Sequence, residues 1–177
     1  EGIKKSMTRR LEKNNLQTVE REDSEAAITY LEKESGIHYD SIQKEAIIQA
    51  INNPLFILTG GPGTGKTTVI NGIIAVYALL HKLNLTKSTG EVPILLAAPT
   101  GRAARRMNEL TGLPSATIHR HLGLTEDQGE SYRDDYLDAD FIIVDEFSMV
   151  DTWLANQLFQ NISSNSQVLI VGDAEQL

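Results

Sequence analysis

The stretch Gly60-Gly61-Pro62-Gly63-Thr64-Gly65-Lys66-Thr67 is the most informative part of this 177-residue chain. It satisfies the pattern G-x-x-x-x-G-K-S/T, which is typical of a phosphate-binding loop between a strand and a helix. Its glycines let the backbone wrap closely around phosphates and turn N–H groups toward them. A helix that begins near Lys66 adds the positive end of its dipole. The sequence therefore predicts binding of a nucleoside triphosphate, with Lys66 at the β- and γ-phosphates and the Thr67 hydroxyl on Mg²⁺.

Four short apolar runs place this loop in an α/β fold. They are residues 55–58, 94–98, 141–144 and 168–171, and they are continuous rather than alternating, as expected for strands buried on both faces of a parallel sheet. Helical stretches are predicted between them, at about residues 67–83, 102–110, 117–122 and 152–162. We therefore expect a parallel sheet with flanking helices, in which the loops after the strands converge on one crevice.

The first forty residues are charged and helix-prone, with Ser24 as a candidate N-cap and Gly36 as a candidate helix stop. A second helix is predicted over residues 41–52, ended by Pro54. The chain starts with Glu and stops after an apolar run, so we expect a fragment of a longer protein. Residues 1–40 would lead in from a preceding domain, and residues 41–177 would form a domain that is incomplete at its C-terminus.

Charge is segregated along the chain. The net charge is −8, but residues 126–151 hold ten acids against the single base Arg133, which leaves about +1 for the rest. Residues 99–121 reverse this balance, because one acid, Glu109, stands among four arginines: Arg102, Arg105, Arg106 and Arg120. The acidic total therefore does not argue against a nucleic-acid partner, although a solvated helix face explains the arginines equally well on these counts alone.

Composition excludes several other classes of protein. The chain has no cysteine, which rules out a disulfide framework, a thiolate metal site and a thiol nucleophile. Its longest apolar run, residues 73–80, is far shorter than the roughly 20 residues that cross a bilayer. No signal peptide opens the sequence. We therefore expect a cytoplasmic protein with no membrane partner.

Polar residues with suitable chemistry follow the third and fourth apolar runs. Asp145 and Glu146 come directly after residues 141–144, where one carboxylate can hold Mg²⁺ and the other can orient and deprotonate a water. Gln176 follows the fourth run, where a neutral amide can hydrogen-bond the γ-phosphate or the water. Taken alone, the pair and the glutamine are better explained as solvated surface residues; beside a phosphate loop they indicate catalysis.

Together these motifs resemble those of the superfamily 1 DNA helicases, and within them the RecD-type group, which contains the alpha subunit of exodeoxyribonuclease V and its stand-alone relatives. The resemblance is carried by residues 60–68, 98–104, 117–120, 144–151 and 172–177, with residues 41–46 similar to the family's glutamine motif. Two departures are visible. Arg102 stands where the family more often has Lys, and Phe147 stands where it more often has a small Ala.

The resemblance implies the first RecA-like motor domain of an ATP-driven, 5′-to-3′ translocating DNA helicase that acts in recombination and repair. Catalysis would depend on Lys66, Glu146 and Gln176, and Mg²⁺ would be held by Thr67 and Asp145. ATP would be bound by Gln43, which selects adenine, and by Gly60, Gly61, Pro62, Gly63, Thr64, Gly65, Lys66, Thr67 and Thr68. Single-stranded DNA would be contacted by Pro99, Thr100, Gly101, Arg102 and His119.

The same resemblance makes predictions about the rest of the motor. The strand at residues 168–171 should lie between those at residues 55–58 and 141–144. The domain should be truncated after its fourth core strand, which leaves an open sheet edge beside the strand of the phosphate loop. A second RecA-like domain, and in some complexes nuclease subunits, would be its partners. Alone, the chain should bind ATP–Mg²⁺ weakly, hydrolyse it slowly and not unwind DNA.

Two alternatives stay open. One is another P-loop enzyme such as a kinase or GTPase, although the chain lacks the guanine-binding pattern Asn-Lys-x-Asp. The other is a nucleotide-binding module without turnover.

Overall fold

The computed structural model describes residues 21–60, 65–83, 94–123 and 139–172. The strands in these ranges are β1 (Leu55–Thr59), β2 (Ile94–Ala98), β3 (Ser115–Thr117), β4 (Phe141–Val144) and β5 (Gln167–Gly172). The helices are α1 (Arg21–Ser35), α2 (Ser41–Asn52), α3 (Lys66–Leu80), α4 (Gly101–Thr111), α5 (Ile118–His121) and α6 (Thr152–Asn161). A 3-10 helix covers Phe147–Met149.

All strands of the described sheet run parallel, in the order β1-β5-β4-β2-β3. Strand β5 pairs with β1 in the register Leu58↔Val171 and with β4 in the register Val144↔Ile170. The prediction that the 168–171 strand separates the other two is therefore confirmed. Because parallel strands end on the same side, the segments that follow β1, β4 and β5 all start at one edge, called the carboxyl edge below.

The four predicted strands are confirmed, and β3 is an additional one. Its three residues, Ser-Ala-Thr, contain no apolar run, so no strand was predicted there. It forms because Leu96–Ala98 of β2 offers it a parallel partner, with Ala97 opposite Ala116. Within the described residues β3 and β1 are the two outer strands.

Successive residues of the central strands enter two different cores, which explains why the runs are continuous. Phe141 and Ile143 face a core shared with helices α1, α2 and α3, while Ile142 and Val144 face a core shared with α5 and α6. All four side chains are almost completely buried. Full burial of such a side chain stabilises the fold by roughly 1.5–3 kcal/mol.

Helix α1 differs from its sequence prediction at one end. Ser24 lies inside the helix and is buried, so its assignment as an N-cap is wrong; the helical face that buries Ala27 and Ile28 also takes in Ser24. Its hydroxyl has no hydrogen-bond partner among the described residues. Gly36 does end the helix, with φ at +73° and its N–H donating to the Glu32 carbonyl. The domain boundary near residue 41 stays a prediction.

No helix in the described ranges combines the length and the apolar character needed to cross a membrane.

Candidate functional site

The N-terminus of α3 lies at the carboxyl edge, directly after β1. Gly65 precedes the helix in the left-handed conformation (φ 78°, ψ 23°), and its carbonyl accepts the Val69 N–H at 3.1 Å. Having no side chain, Gly65 cannot cap the helix, and the first turn contains no acidic residue. Within the described residues the start of α3 thus has neither a side-chain cap nor an acidic side chain, an arrangement that suits binding of an anion such as phosphate.

Gln43 lies against this helix start. Its side chain takes part in a capping box at the beginning of α2: Asp40 Oδ1 accepts the Gln43 N–H at 2.7 Å, and Gln43 Oε1 accepts the Asp40 N–H at 3.1 Å. A β-carbon placed on Gly65 would lie 2.7 Å from Gln43 Nε2. The structure thus brings the predicted adenine-selecting side chain to the end of the phosphate loop.

Asp145 and Glu146 occupy the carboxyl end of β4. The Asp145 N–H donates to the Ala97 carbonyl at 2.9 Å, and Asp145 Oδ1 accepts the Glu146 N–H at 2.9 Å. Glu146 has φ 49° and ψ 42°, a left-handed conformation that costs a residue with a β-carbon roughly 1–2 kcal/mol. Strain of this kind is typical of functional positions. It turns the chain sharply into the 3-10 helix immediately after the half-buried pair of carboxylates.

Phe147, the bulky departure from the family pattern, has a packing role. Its ring meets that of Phe159 edge-on, with centroids 6.2 Å apart. The side chain thus fills space against the α6 core behind Glu146.

A cleft of about 310 Å³ lies between α4 and the β3–α5 segment at the outer side of the sheet. We call it the arginine cleft, and it is lined by Gly101, Ala104, Arg105, Asn108, Ser115, Ala116, Thr117 and Arg120. Of the predicted DNA contacts, only Gly101 lines it. Pro99 and Thr100 directly precede α4, while Arg102 and His119 are exposed beside the cleft without lining it.

Two contacts near these sites had no clear sequence signal. Asn71 Nδ2 donates to the Leu110 carbonyl at 3.0 Å, which joins α3, the helix of the phosphate loop, to α4 of the arginine cleft. His121 lies 2.8 Å through Nε2 from the Leu96 carbonyl, so this ring ties α5 to β2. By contrast, the capping box did have a signal, because Asp40 and Gln43 match D-x-x-Q.

Several predicted residues lie outside the described ranges: Gly61, Pro62, Gly63, Thr64 and Gln176. Their described neighbours are Gly60, Gly65 and Gly172. No group of three or more His, Cys, Asp or Glu side chains in the described part of the chain is arranged to hold a metal ion. Thr67 and Asp145 offer one hydroxyl and one carboxylate, a donor set that suits Mg²⁺ shared with phosphate oxygens.

Residues 43–177 match the family described as AAA domain. The chain is 34% identical over 156 residues to the RecBCD enzyme subunit RecD of Buchnera aphidicola subsp. Acyrthosiphon pisum, covering 77% of this chain and 25% of that protein. It is 37% identical over 138 residues to the ATP-dependent RecD2 DNA helicase of Deinococcus radiodurans, covering 76% of this chain and 18% of that protein. The chain thus spans a quarter or less of the length of these relatives.

Among solved structures, the fold is similar to that of a Pif1 helicase from a study of DNA unwinding at forked double-stranded DNA. The TM-score is 0.53 at 18% identity, over 77% of this chain and 34% of that one. This likeness confirms the predicted parallel sheet with flanking helices.

Proposed function

Because this chain belongs to the AAA domain family, we propose that it forms the nucleotide-binding part of an ATP-driven DNA helicase of the RecD type. The observation that carries the proposal is the start of α3, where a left-handed glycine leaves the helix without a side-chain cap and Gln43 lies alongside. Similarity to RecD and RecD2 supports the choice of a DNA helicase over a kinase or GTPase.

We assign the phosphates of ATP to the loop from Gly60 to Thr68 and to the N–H groups at the start of α3. Lys66 would contact the β- and γ-phosphates, and Thr67 with Asp145 would hold Mg²⁺. Mg²⁺, when bound, would neutralise negative charge on the phosphate oxygens. Glu146 would orient the attacking water and accept its proton. Gln176 would sense the γ-phosphate.

The base would be read by Gln43. A carboxamide offers one acceptor and one donor side by side, and the exposed edge of adenine offers the complementary amino donor and N7 acceptor. Gln43 Nε2 already faces the end of the phosphate loop.

Single-stranded DNA would run along the arginine cleft and the start of α4. Arg105 and Arg120 are exposed on opposite walls of the cleft, one from α4 and one from α5, so both can neutralise phosphates of one strand. Pro99, Thr100, Gly101, Arg102 and His119 would extend this contact along the carboxyl edge. No aromatic side chain lines the described cleft, so binding should depend on phosphate contacts and fall with salt.

A second RecA-like domain would supply the arginine fingers, whose contribution is on the order of 10³ to 10⁵ in rate. We therefore expect the 177-residue chain to bind nucleotide but to turn it over slowly. Association with nuclease subunits is part of the proposal for the whole protein, supported by the name of the Buchnera relative as a RecBCD subunit.

Binding of a fluorescent ATP analogue to the 177-residue chain, with Mg²⁺ present, tests the nucleotide site. Lys66→Ala should lower the affinity about tenfold or more, because charge-assisted contacts to phosphate are lost. Lys82→Ala is the matched control, since Lys82 is exposed just beyond the opposite end of the same helix. Equal affinities for the two variants, or no binding by the unmodified chain, would contradict the proposal.

Oligothymidylate binding at several salt concentrations tests the cleft. Arg105→Ala and Arg120→Ala should each weaken binding and reduce the salt slope by about 0.7, the value for one phosphate contact on a single strand. Lys33→Ala, on the exposed side of α1, should leave both quantities unchanged. A slope that does not respond to either arginine would place the DNA elsewhere.

A further inference from the structure

We propose that Glu32, on α1, is a positioning residue that sets which base the nucleotide site accepts, by holding the turn that orients the Gln43 carboxamide. The inference rests on the proposed function, because it takes Gln43 as the residue that reads the base. It adds a specificity role to a helix that precedes every motif of the phosphate site.

The carboxylate of Glu32 binds the chain on both sides of the capping box. One oxygen, Oε2, accepts the Tyr39 N–H at 3.1 Å, immediately before Asp40. The other, Oε1, lies 3.5 Å from Lys44 Nζ, immediately after Gln43. The Glu32 side chain is only 15% exposed, whereas Lys44 is 44% exposed and His38, 3.9 Å away, is 89% exposed. We call the Tyr39 and Lys44 contacts of Glu32 the brace.

Charge at Glu32 and burial of Tyr39 both support the brace. The hydrogen bond from the Tyr39 backbone, with smaller contributions from Lys44 and His38, lowers the pKa of Glu32 and so favours its charged form. The Tyr39 ring is buried, and a β-carbon placed on Gly72 of α3 would lie 3.2 Å from its hydroxyl oxygen. Glu32 therefore holds the turn at Tyr39, and the buried ring of Tyr39 lies against α3, the helix that follows the phosphate loop.

The capping box determines which end of the Gln43 carboxamide faces which way. A backbone N–H can only donate, so the oxygen must face Asp40 N and the nitrogen must face away from it, toward Gly65. A carboxamide held in this orientation presents one acceptor and one donor, which suits adenine. Guanine offers two acceptors, O6 and N7, at the same edge, so the carboxamide oxygen held in this orientation would face an acceptor and could not form its hydrogen bond.

A second link between α1 and α2 provides a matched control. Arg21 Nη1 and Nη2 donate to the two carboxylate oxygens of Glu45, at 3.1 and 2.5 Å. This ion pair joins the same two helices as the brace, but it contacts neither the Tyr39–Asp40 turn nor Gln43. Loss of Glu45 should therefore loosen α1 without releasing the carboxamide.

The test is the ratio of ATP to GTP affinity of the 177-residue chain, measured with fluorescent analogues of both nucleotides and accompanied by thermal unfolding of each variant. Glu32→Ala should reduce the preference for ATP about fivefold, the scale of one hydrogen bond. Glu32→Gln keeps an oxygen that can accept the Tyr39 N–H and should retain most of the preference. Glu45→Ala should leave the ratio unchanged.

An unchanged ratio in Glu32→Ala, or an equal fall in Glu45→Ala, would overturn the inference while leaving the nucleotide site intact. Absence of binding by the unmodified chain would instead defeat the proposed function itself. If Glu32→Ala unfolds too readily to be measured, Glu32→Asp carries the same expectation, because its carboxylate is one methylene further from Tyr39 N.

Discussion

The helices that begin at the carboxyl edge start in two different ways. Helices α4 and α6 supply their own caps: Thr100 Oγ1 accepts the Ala103 N–H at 3.1 Å, and Asp151 Oδ1 accepts the Leu154 N–H at 2.7 Å. The N-cap position of α3 is Gly65, which has no side chain to accept such a hydrogen bond. The first N–H groups of any helix lack intrahelical acceptors. A side-chain cap satisfies one of these groups in α4 and in α6, whereas α3 has no such cap, and this difference supports the proposal that α3 binds phosphate.

The contrast also refines the role proposed for Thr100. Its oxygen already accepts a hydrogen bond from α4, but its hydroxyl hydrogen can still donate. Thr100 would therefore contact a DNA phosphate as a donor while keeping α4 in place. Phosphate contacts at α4 would therefore come from side chains, whereas at α3 the backbone N–H groups and the Lys66 side chain would both contribute.

The largest expected effect comes from giving α3 a β-carbon at its start. Gly65→Ala places a methyl group 2.7 Å from Gln43 Nε2 at φ 78°, which strains the backbone and displaces the glutamine. We expect ATP affinity to fall at least about tenfold, the loss of one or two strong hydrogen bonds, in the fluorescent-analogue assay. The free energy of unfolding should fall by about 1–2 kcal/mol or more.

Gly112→Ala is the control for the backbone effect. Gly112 follows α4 with φ 73°, but a β-carbon there meets nothing within 4 Å. The unfolding free energy of Gly112→Ala should fall by about 1–2 kcal/mol, because alanine is strained in the left-handed conformation. Its ATP affinity should be unchanged. If Gly65→Ala bound ATP as well as Gly112→Ala does, the start of α3 would not be the phosphate site.

The next largest effect concerns the stability of Glu146 variants, which reports the backbone strain at this position independently of its proposed role in hydrolysis. Glu146→Gly should be more stable than Glu146→Ala by about 1 kcal/mol in urea denaturation, because glycine adopts φ 49° without penalty. Lys82, with φ 54°, provides the comparison away from the site, and Lys82→Gly should show a similar gain over Lys82→Ala. A gain at Lys82 but none at Glu146 would mean that Glu146 is not held under strain.

A smaller effect comes from removing the caps of the other helices. Thr100→Ala and Asp151→Ala should each lower the unfolding free energy by about 1 kcal/mol, and Asp151→Asn should restore most of the loss. Thr100→Ala and Asp151→Ala should both leave ATP affinity unchanged. Of these two, only Thr100→Ala should weaken oligothymidylate binding. A fall in ATP affinity for Asp151→Ala would show that capped and uncapped helices are not functionally distinct.

Sequence reasoning succeeded where the cause was local or periodic. Strand β4 was predictable because Phe-Ile-Ile-Val supplies two buried faces at once, and α2 because it starts after Asp40 and ends before Pro54. Strand β3 was not, since its pairing depends entirely on β2. For the same reason the arginine cleft could not be predicted. Helical spacing indicates that Arg105 is exposed, but its position opposite Arg120 depends on the pairing of β3 with β2.

The candidate site shows the same division between local and tertiary causes. The phosphate loop and the pair of carboxylates followed from short motifs placed after strands. The contact of Gln43 with Gly65 joins residues from α2 and the start of α3, and the brace joins Glu32 to residues that follow the Gly36 turn. Such contacts depend on the packing of α1, α2 and α3 against one another, which no short pattern specifies.

The smallest expected effect is a pH dependence of the ion pair that holds α1 on α2. The hydrogen bond from Arg21, with that from Gln49, lowers the pKa of Glu45 from 4.5 to about 2. Because the pKa is lowered on folding, the stabilisation should be complete above about pH 4.5 and should disappear as the pH falls toward 2. The difference in melting temperature between the unmodified chain and Glu45→Gln should therefore vanish over that range.

The Arg21 and Glu45 side chains are about half exposed, so the difference should also shrink in high salt. In an Arg21→Gln background, Glu45→Gln should have little effect at any pH, and a persistent difference there would assign the stabilisation to another contact. At neutral pH, Glu45→Gln should leave ATP affinity unchanged, because this pair, like the caps of α4 and α6, supports the fold without reaching the start of α3.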